Sequence, residues 1–304
     1  MADPYLQASG TLLNKLGIRD SMVLQAAEIG LVAVRLAALD VGQGPTLTKD
    51  CLSDLKSVHA FVFQDLYPWA GKTRAEPFVH KTDGRERTVQ TGIVIAKGKK
   101  VFASPQDIAP RLDQLSLKMK EANSFKGIKR RDFIIAIADF LSEINDVHAF
   151  REGNGRVQRA YIEMIARRAD RSIDFRPITR EWMIQASVAA DSGNLQAMRR
   201  LIRDGATPER AFALNSARNQ IEQAGFKDLN DRYIGFVEPG HRHHAKLVAI
   251  SRQHFTCVVG NSTILIGWRK DLPRPDIKPG EIFTFVGQGA PTATVVKRRS
   301  GLEI

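Results

Sequence analysis

Two cysteines in 304 residues, Cys51 and Cys257, are too few and too far apart for a disulfide framework or a zinc-ligand spacing, and they point to folding in a reducing compartment. The amino terminus, MADPYLQASG, has no basic stretch followed by an apolar run, which argues against a cleaved signal peptide. No stretch reaches the length expected of a membrane span. Net charge is +12, but the basic residues are scattered, with only short clusters at 97–100, 129–131 and 297–299. The C-terminal aromatics Tyr233, Phe236, Phe255, Trp268, Phe283 and Phe285 form no interleaved row on which bases could stack, so nucleic acid is not the expected partner.

The chain does have a hydrophobic fraction of 43%, enough for one large or two modest cores. After a loosely structured lead to about residue 18, helical periods predict helices from Asp20 or Ser21 to about 39, over 48–66, from Ser104–Pro105 toward 120, over 131–147, from Gly155 to about 168, and over 180–191 and 194–203. Short strands are expected over 88–95 and 100–102. His59 reads as a packed helix histidine. A connecting helix runs from Thr207–Pro208 to about 223, after which the period changes to two, with strands over 232–237, 246–251, 254–259, 263–268 and 281–286. The expectation is a mainly helical core over 1–204, a connecting helix over 205–225, and a small β-barrel, most simply an OB fold, over 226–304. His241, His243 and His244 lack an acidic or cysteine partner at metal-ligand spacing and read as a solvated turn.

The densest chemistry lies in HAFREGNGRVQR, from His148 to Arg159. Gly153, Asn154 and Gly155 permit the backbone of an anion nest, and the helix that follows points the positive end of its dipole at the same place. Arg156 and Arg159, spaced i, i+3, share a helical face beside the nest, where guanidinium forks hold phosphate oxygens. Glu152 just ahead would repel a phosphate unless a hard cation such as magnesium lay between. His148 ends the preceding helix and is the side chain most readily neutral near pH 7, suited to accept a proton from an attacking hydroxyl. Phe150 anchors the loop in apolar core.

This motif resembles that of Fic-domain enzymes, HxFx(D/E)GNGRxxR, with every fixed position present; Ala149 stands where the family commonly has proline. The resemblance implies protein adenylyltransferase activity, moving AMP from ATP to a Tyr, Thr or Ser hydroxyl of a target protein with release of pyrophosphate. It assigns the base to His148, a magnesium ion to Glu152, the anion hole to Gly153, Asn154 and Gly155, and the outer-phosphate clamps to Arg156 and Arg159. The acid and glycine at 152 and 153 favour adenylylation over the family's kinase variant.

LYPWAGKTR, residues 66–74, is similar to a second recurring Fic segment, with Lys72 and Thr73 as candidates for the nucleotide pocket against the alternative of a structural turn at Trp69. IAKGKKVFASP is similar to the Fic hairpin flap, whose Lys97, Gly98, Lys99, Lys100, Val101 and Phe102 would pin a target chain by main-chain pairing. So basic a tip suits an acidic target. KTDGRERTVQ, residues 81–90, lengthens the region before the flap, as a specificity element or a tolerated surface loop.

A Fic domain followed by an OB fold resembles the Bartonella effectors injected into host cells by a VirB-type secretion system. That implies a host target, by analogy a Rho-family small GTPase, and passage from the bacterial cytoplasm to the host cytoplasm. The effectors' C-terminal delivery domain is absent, so a fragment is possible. The inhibitory helix pattern [ST]xxxE[GN] has no match, since Glu152 alone is followed by Gly or Asn and His148 stands at its Ser/Thr position, so a separate small antitoxin-like partner is expected to supply the blocking glutamate. The competing readings are a catalytically silent scaffold and a nucleic-acid binder acting through the barrel.

Overall fold

The computed structural model of the chain describes residues 3–82 and 84–289. The chain divides into two compact units, Met1–Phe175 with Ala186–Ala206, and Arg176–Gln185 with Thr207–Ile304.

The first unit is helical, with two small hairpins. Helix α1, Ser21–Asp40, starts where the Asp20 carboxylate accepts from the Met22 and Val23 amides, at 2.8 and 3.0 Å. Helix α2, Cys51–Phe63, is capped by Asp50 rather than opened by Thr48, and it stops short of residue 66. Between α2 and the next helix lie two antiparallel hairpins, β1 (Phe78–Thr82) with β2 (Arg85–Val89), and β3 (Ala96–Lys97) with β4 (Lys100–Val101). The lengthened segment is therefore a hairpin of its own, and the strand expected over 88–95 ends at Val89.

A 3-10 turn at Pro105–Asp107 leads into α3, Ile108–Glu121. Helix α4, Arg130–Val147, buries Phe133, Ile137, Phe140, Leu141, Ile144 and Val147, a stripe at helical spacing. Helix α5 spans Asn154–Arg168 and packs its Val157, Tyr161, Ile162 and Ile165 inward. It lies against α2 and α4. Helix α6 follows at Arg180–Asp191 and α7 at Gln196–Gly205, the latter packed on α4 and tied to it by a bidentate Arg199–Asp139 pair.

Two further expectations fail in this unit. The lead is not loose: Tyr5 is fully buried, edge-on to Trp69 at 5.0 Å and stacked on Phe78 at 5.2 Å, and Leu6 bridges Leu12. Its polar spacing hides this because its partners lie far along the chain. Nor is every stretch too short for a membrane. Helix α1, with mean hydropathy 1.7, is long and apolar enough to cross one by length and composition. That is weak evidence: Leu24, Val32 and Leu39 are buried, Glu28 bonds the Tyr67 hydroxyl, and Arg35 pairs with Asp65.

The second unit carries helix α8, Pro208–Gln223, and a five-stranded mixed sheet: β5 (Tyr233–Phe236), β6 (Arg242–Ile250), β7 (His254–Val259), β8 (Thr263–Trp268) and β9 (Ile282–Val286). The strands pair in the order β5-β8-β7-β6-β9, with β5 parallel to β8 and the rest antiparallel. Leu247, Phe255, Cys257, Leu265, Phe283 and Phe285 lie in its core, and α8 packs on the sheet. Gly267 is required there, because a Cβ would sit 2.1 Å from the Phe255 ring. The expected strands are present, and among the described residues β5 and β9 are the two edges, so the sheet is not shown closing into an OB barrel. The basic cluster at 297–299 lies outside the described residues. Cys51 and Cys257 are buried and free.

Because Tyr5 is core, Tyr5→Ala is expected to cost about 3–5 kcal/mol in urea unfolding, as truncation of a buried aromatic does. A change within about 0.5 kcal/mol would mark the lead as surface.

Candidate active site

Helix α4 delivers His148 in the left-handed region, φ 49° and ψ 58°, with its amide still bonded to the Ile144 carbonyl at 3.2 Å. A non-glycine residue holds that conformation only where its surroundings impose it. Here the loop is clasped by Asn154, whose Oδ1 accepts from the Phe150 amide at 2.9 Å while Nδ2 donates to the Phe150 carbonyl at 2.7 Å. The Asn154 side chain therefore shapes the loop rather than facing an anion. Gly153 enters α5 at φ 84°, and a Cβ there would lie 2.3 Å from two Phe63 ring carbons, so only glycine fits. Gly155 is exposed, with Arg159 Nη1 3.5 Å from where its Cβ would stand.

The His148 ring is buried and stacks on Phe102, centroids 3.9 Å apart. Burial, with Lys97 and Arg74 adding to it and the Asn145 backbone opposing, brings its pKa down to about 3. It is neutral at physiological pH, the form that accepts a proton.

The two motif arginines differ. Arg156 pairs with Glu28 of α1, lies 3.4 Å from Glu152 Oε1, and rests over the Phe63 ring at 5.0 Å. Arg159 has no carboxylate ion pair among the described residues. Burial, reinforced by Arg156, lowers its pKa, with Glu163 opposing. A cation so placed is the better phosphate ligand of the two.

Glu152 Oε1 accepts from the Gly153 amide at 2.8 Å. No group of three or more His, Cys, Asp or Glu that could hold a metal occurs among the described residues. A divalent ion at Glu152 would take its other ligands from nucleotide phosphates and water, the usual habit of magnesium, so one carboxylate fits that ion.

Two residues, His59 of α2 and Arg74 of the second segment, have contacts with the loop that the sequence did not reveal. Lys72 is exposed, with its amide bonded to Trp69 O in a turn, and Thr73 closes a turn onto Glu76; among the described residues neither hydrogen-bonds the loop. His59, fully buried, is more than packing: Nδ1 accepts from the Gly71 amide at 2.9 Å, Nε2 then donates to the Glu152 carbonyl at 3.2 Å, and the ring stacks on Phe150 at 4.0 Å. Burial brings its pKa to about 3. Arg74, also fully buried, donates to the His148 carbonyl at 2.9 Å. Helical spacing placed His59 in a core but carried no sign of its hydrogen bonds.

In the flap hairpin, Ala96 faces Val101 and Lys97 faces Lys100 around Gly98, which turns at φ 59°. Lys97, Gly98, Lys99 and Val101 are exposed, and Phe102 is buried under His148. Lys100 is not free for docking: it pairs with Asp146 and, at 2.7 Å, with Asp191, because two carboxylates flank the base of the hairpin. His243 and His244 lie in β6 rather than in the expected turn, paired with Phe285 and Thr284 of β9.

The buried neutral histidines set an acid response. Histidine titrates near 6.5 unfolded but near 3 here, so below pH 6.5 the unfolded chain binds protons that the native chain does not. Stability is fully present above about pH 6.5 and falls toward pH 3 by about 1.4 kcal/mol per pH unit per histidine. Glu163, pushed up to about 7 by burial, works in the opposite sense, so the test is differential. The stability gap between wild type and His59→Gln is expected to narrow by about 1.4 kcal/mol per pH unit below 6.5, read from urea titrations at pH 7, 6 and 5.

A Fic/DOC family model matches residues 48–166, which enclose α2, both hairpins and the whole loop. A protein adenylyltransferase of Bartonella henselae is 30% identical over 249 residues, covering 79% of this chain and 44% of that protein; this chain thus spans less than half of that curated relative. The type IV secretion system effector protein BepA superposes with a TM-score of 0.84 at 28% identity, over 95% of this chain and 97% of the other. The N-terminal Fic domain of a VirB-translocated effector from Bartonella quintana, solved with bound ADP, is 30% identical, with a TM-score of 0.62 over 68% of this chain and 97% of that one. With the motif loop built as described and a solved Fic domain matched along nearly its whole length, the chain belongs to the Fic/DOC family.

Proposed function

We propose that the chain is a protein adenylyltransferase. The observation that carries the reading is a neutral, buried His148 held at the mouth of a glycine-opened helix whose Arg159 has no carboxylate ion pair among the described residues. The imidazole accepts the proton of a target hydroxyl as its oxygen bonds to the α-phosphorus of ATP. The bond from that phosphorus to the β-phosphate bridge breaks, and pyrophosphate leaves. Gly153 and Gly155 bring backbone N–H groups to the phosphates, and Arg159 clamps the outer ones. Arg156 shares that task only by leaving Glu28. Glu152 and the phosphates would hold magnesium, which supplies charge neutralisation. The ADP named with the Bartonella quintana structure, and the name of the Bartonella henselae relative, support an adenine nucleotide substrate.

The target is a host protein with an acidic surface opposite Lys97 and Lys99, its modified residue a Tyr, Thr or Ser; a Rho-family GTPase fits by analogy. Delivery from the bacterial to the host cytoplasm follows from likeness to VirB-translocated effectors. A separate antitoxin-like protein restrains the enzyme in the bacterium. The C-terminal sheet is the OB-like portion shared with such effectors.

Incubation with α-labelled ATP, magnesium and host-cell lysate tests the reading. A labelled protein band is expected with the wild type and at least about 100-fold less with His148→Ala, the scale of a lost general base. Equal labelling by both would remove the proposed role of His148, and label carried from the γ-phosphate instead would make the enzyme a kinase.

A further inference from the structure

Arg74 carries a charge in full burial, and no carboxylate pairs with it among the described residues. Its guanidinium is spent on backbone carbonyls. Nε donates to His148 O at 2.9 Å, Nη1 to Ile93 O at 2.8 Å, and Nη2 to Val147 O at 3.2 Å and to Ala103 O. Its own amide donates to Ala149 O at 2.9 Å, and its carbonyl accepts from the Gly92 amide at 2.9 Å.

These carbonyls fall into two groups. Those of Val147 and His148 end α4, where carbonyls lack intrahelical partners and the dipole is negative. Those of Ile93 and Ala103 stand on either side of the β3/β4 hairpin, one on entry and one on exit. Arginine is suited to serve both, since its planar fork offers five N–H donors. Two further contacts join the same parts: the Phe102 ring stacks on His148, and the Ala103 amide donates to Asp146 O at 3.3 Å.

We infer that Arg74 is a positioning residue that locks the docking hairpin and the His148 loop into one register, so that a strand paired to the hairpin arrives with its hydroxyl at the imidazole. The structural half of this claim stands on the contacts above; its functional half rests on the proposed transferase reading. Lysine at 74 keeps the charge but, with one ammonium, cannot reach carbonyls on both sides.

The test uses the full chain. In the wild type, amide hydrogen exchange of Gly92 and Phe102 is expected to show protection within about tenfold of that of the His148 amide, because the three sit in one opening unit. In Arg74→Lys the Gly92 and Phe102 amides are expected to exchange at least tenfold faster, while ATP affinity measured by calorimetry stays within threefold. Transfer of α-label to the lysate band is expected to fall at least thirtyfold. Should Arg74→Lys fail to fold, the wild-type comparison decides alone. The inference is overturned by hairpin amides that open a hundredfold more readily than His148 in the wild type, by unchanged hairpin exchange in a folded Arg74→Lys, or by a fall in ATP affinity that matches the fall in transfer. A wild type that transfers no label removes the transferase reading and leaves the exchange result to judge the coupling.

Discussion

A loop buried between two helices has little water to satisfy its carbonyls, and the motif loop depends on side chains that do so. His148 O and Ala149 O are taken by the side chain and amide of Arg74, Phe150 by the Asn154 clasp, and Glu152 O by His59. Each donor comes from a different place: the segment after Trp69, the first turn of α5, and α2. The loop is thus held by its hydrogen bonds in an otherwise uncommon backbone, His148 in the left-handed region included.

Burial of the same groups sets the electrostatics. Desolvation, with Lys97 and Arg74 near the ring, keeps His148 uncharged, the form that can accept a proton. Positive charge is then graded across α5. Arg156 is answered by Glu28 and Glu152, whereas Arg159 has no ion pair among the described residues, so uncompensated positive charge stands one turn into the helix. The pairing of Arg156 with a carboxylate on α1 also explains why that apolar helix keeps an acid on its packed side.

Several features were legible in the residues because each is a property of one short segment. The α4 stripe shows as a period, the motif as fixed residue types, and the Asp20 cap as an Asp before a helical run. The flap hairpin was readable too, though not the fate of Lys100, whose acid partners Asp146 and Asp191 sit on α4 and α6. Tyr5 was misjudged for the same reason: its neighbours Trp69 and Phe78 are remote in sequence.

By itself, then, the sequence determined the helical core, the five C-terminal strands and the set of candidate groups for a phosphate site, since local period and residue chemistry suffice for these. The tertiary structure alone decided which donors satisfy the buried loop, which motif arginine has no ion pair among the described residues, and that the described sheet keeps two edges. Those outcomes depend on where distant backbone carbonyls and carboxylates arrive, and no local pattern encodes the demand of a carbonyl that becomes buried only when another segment folds over it.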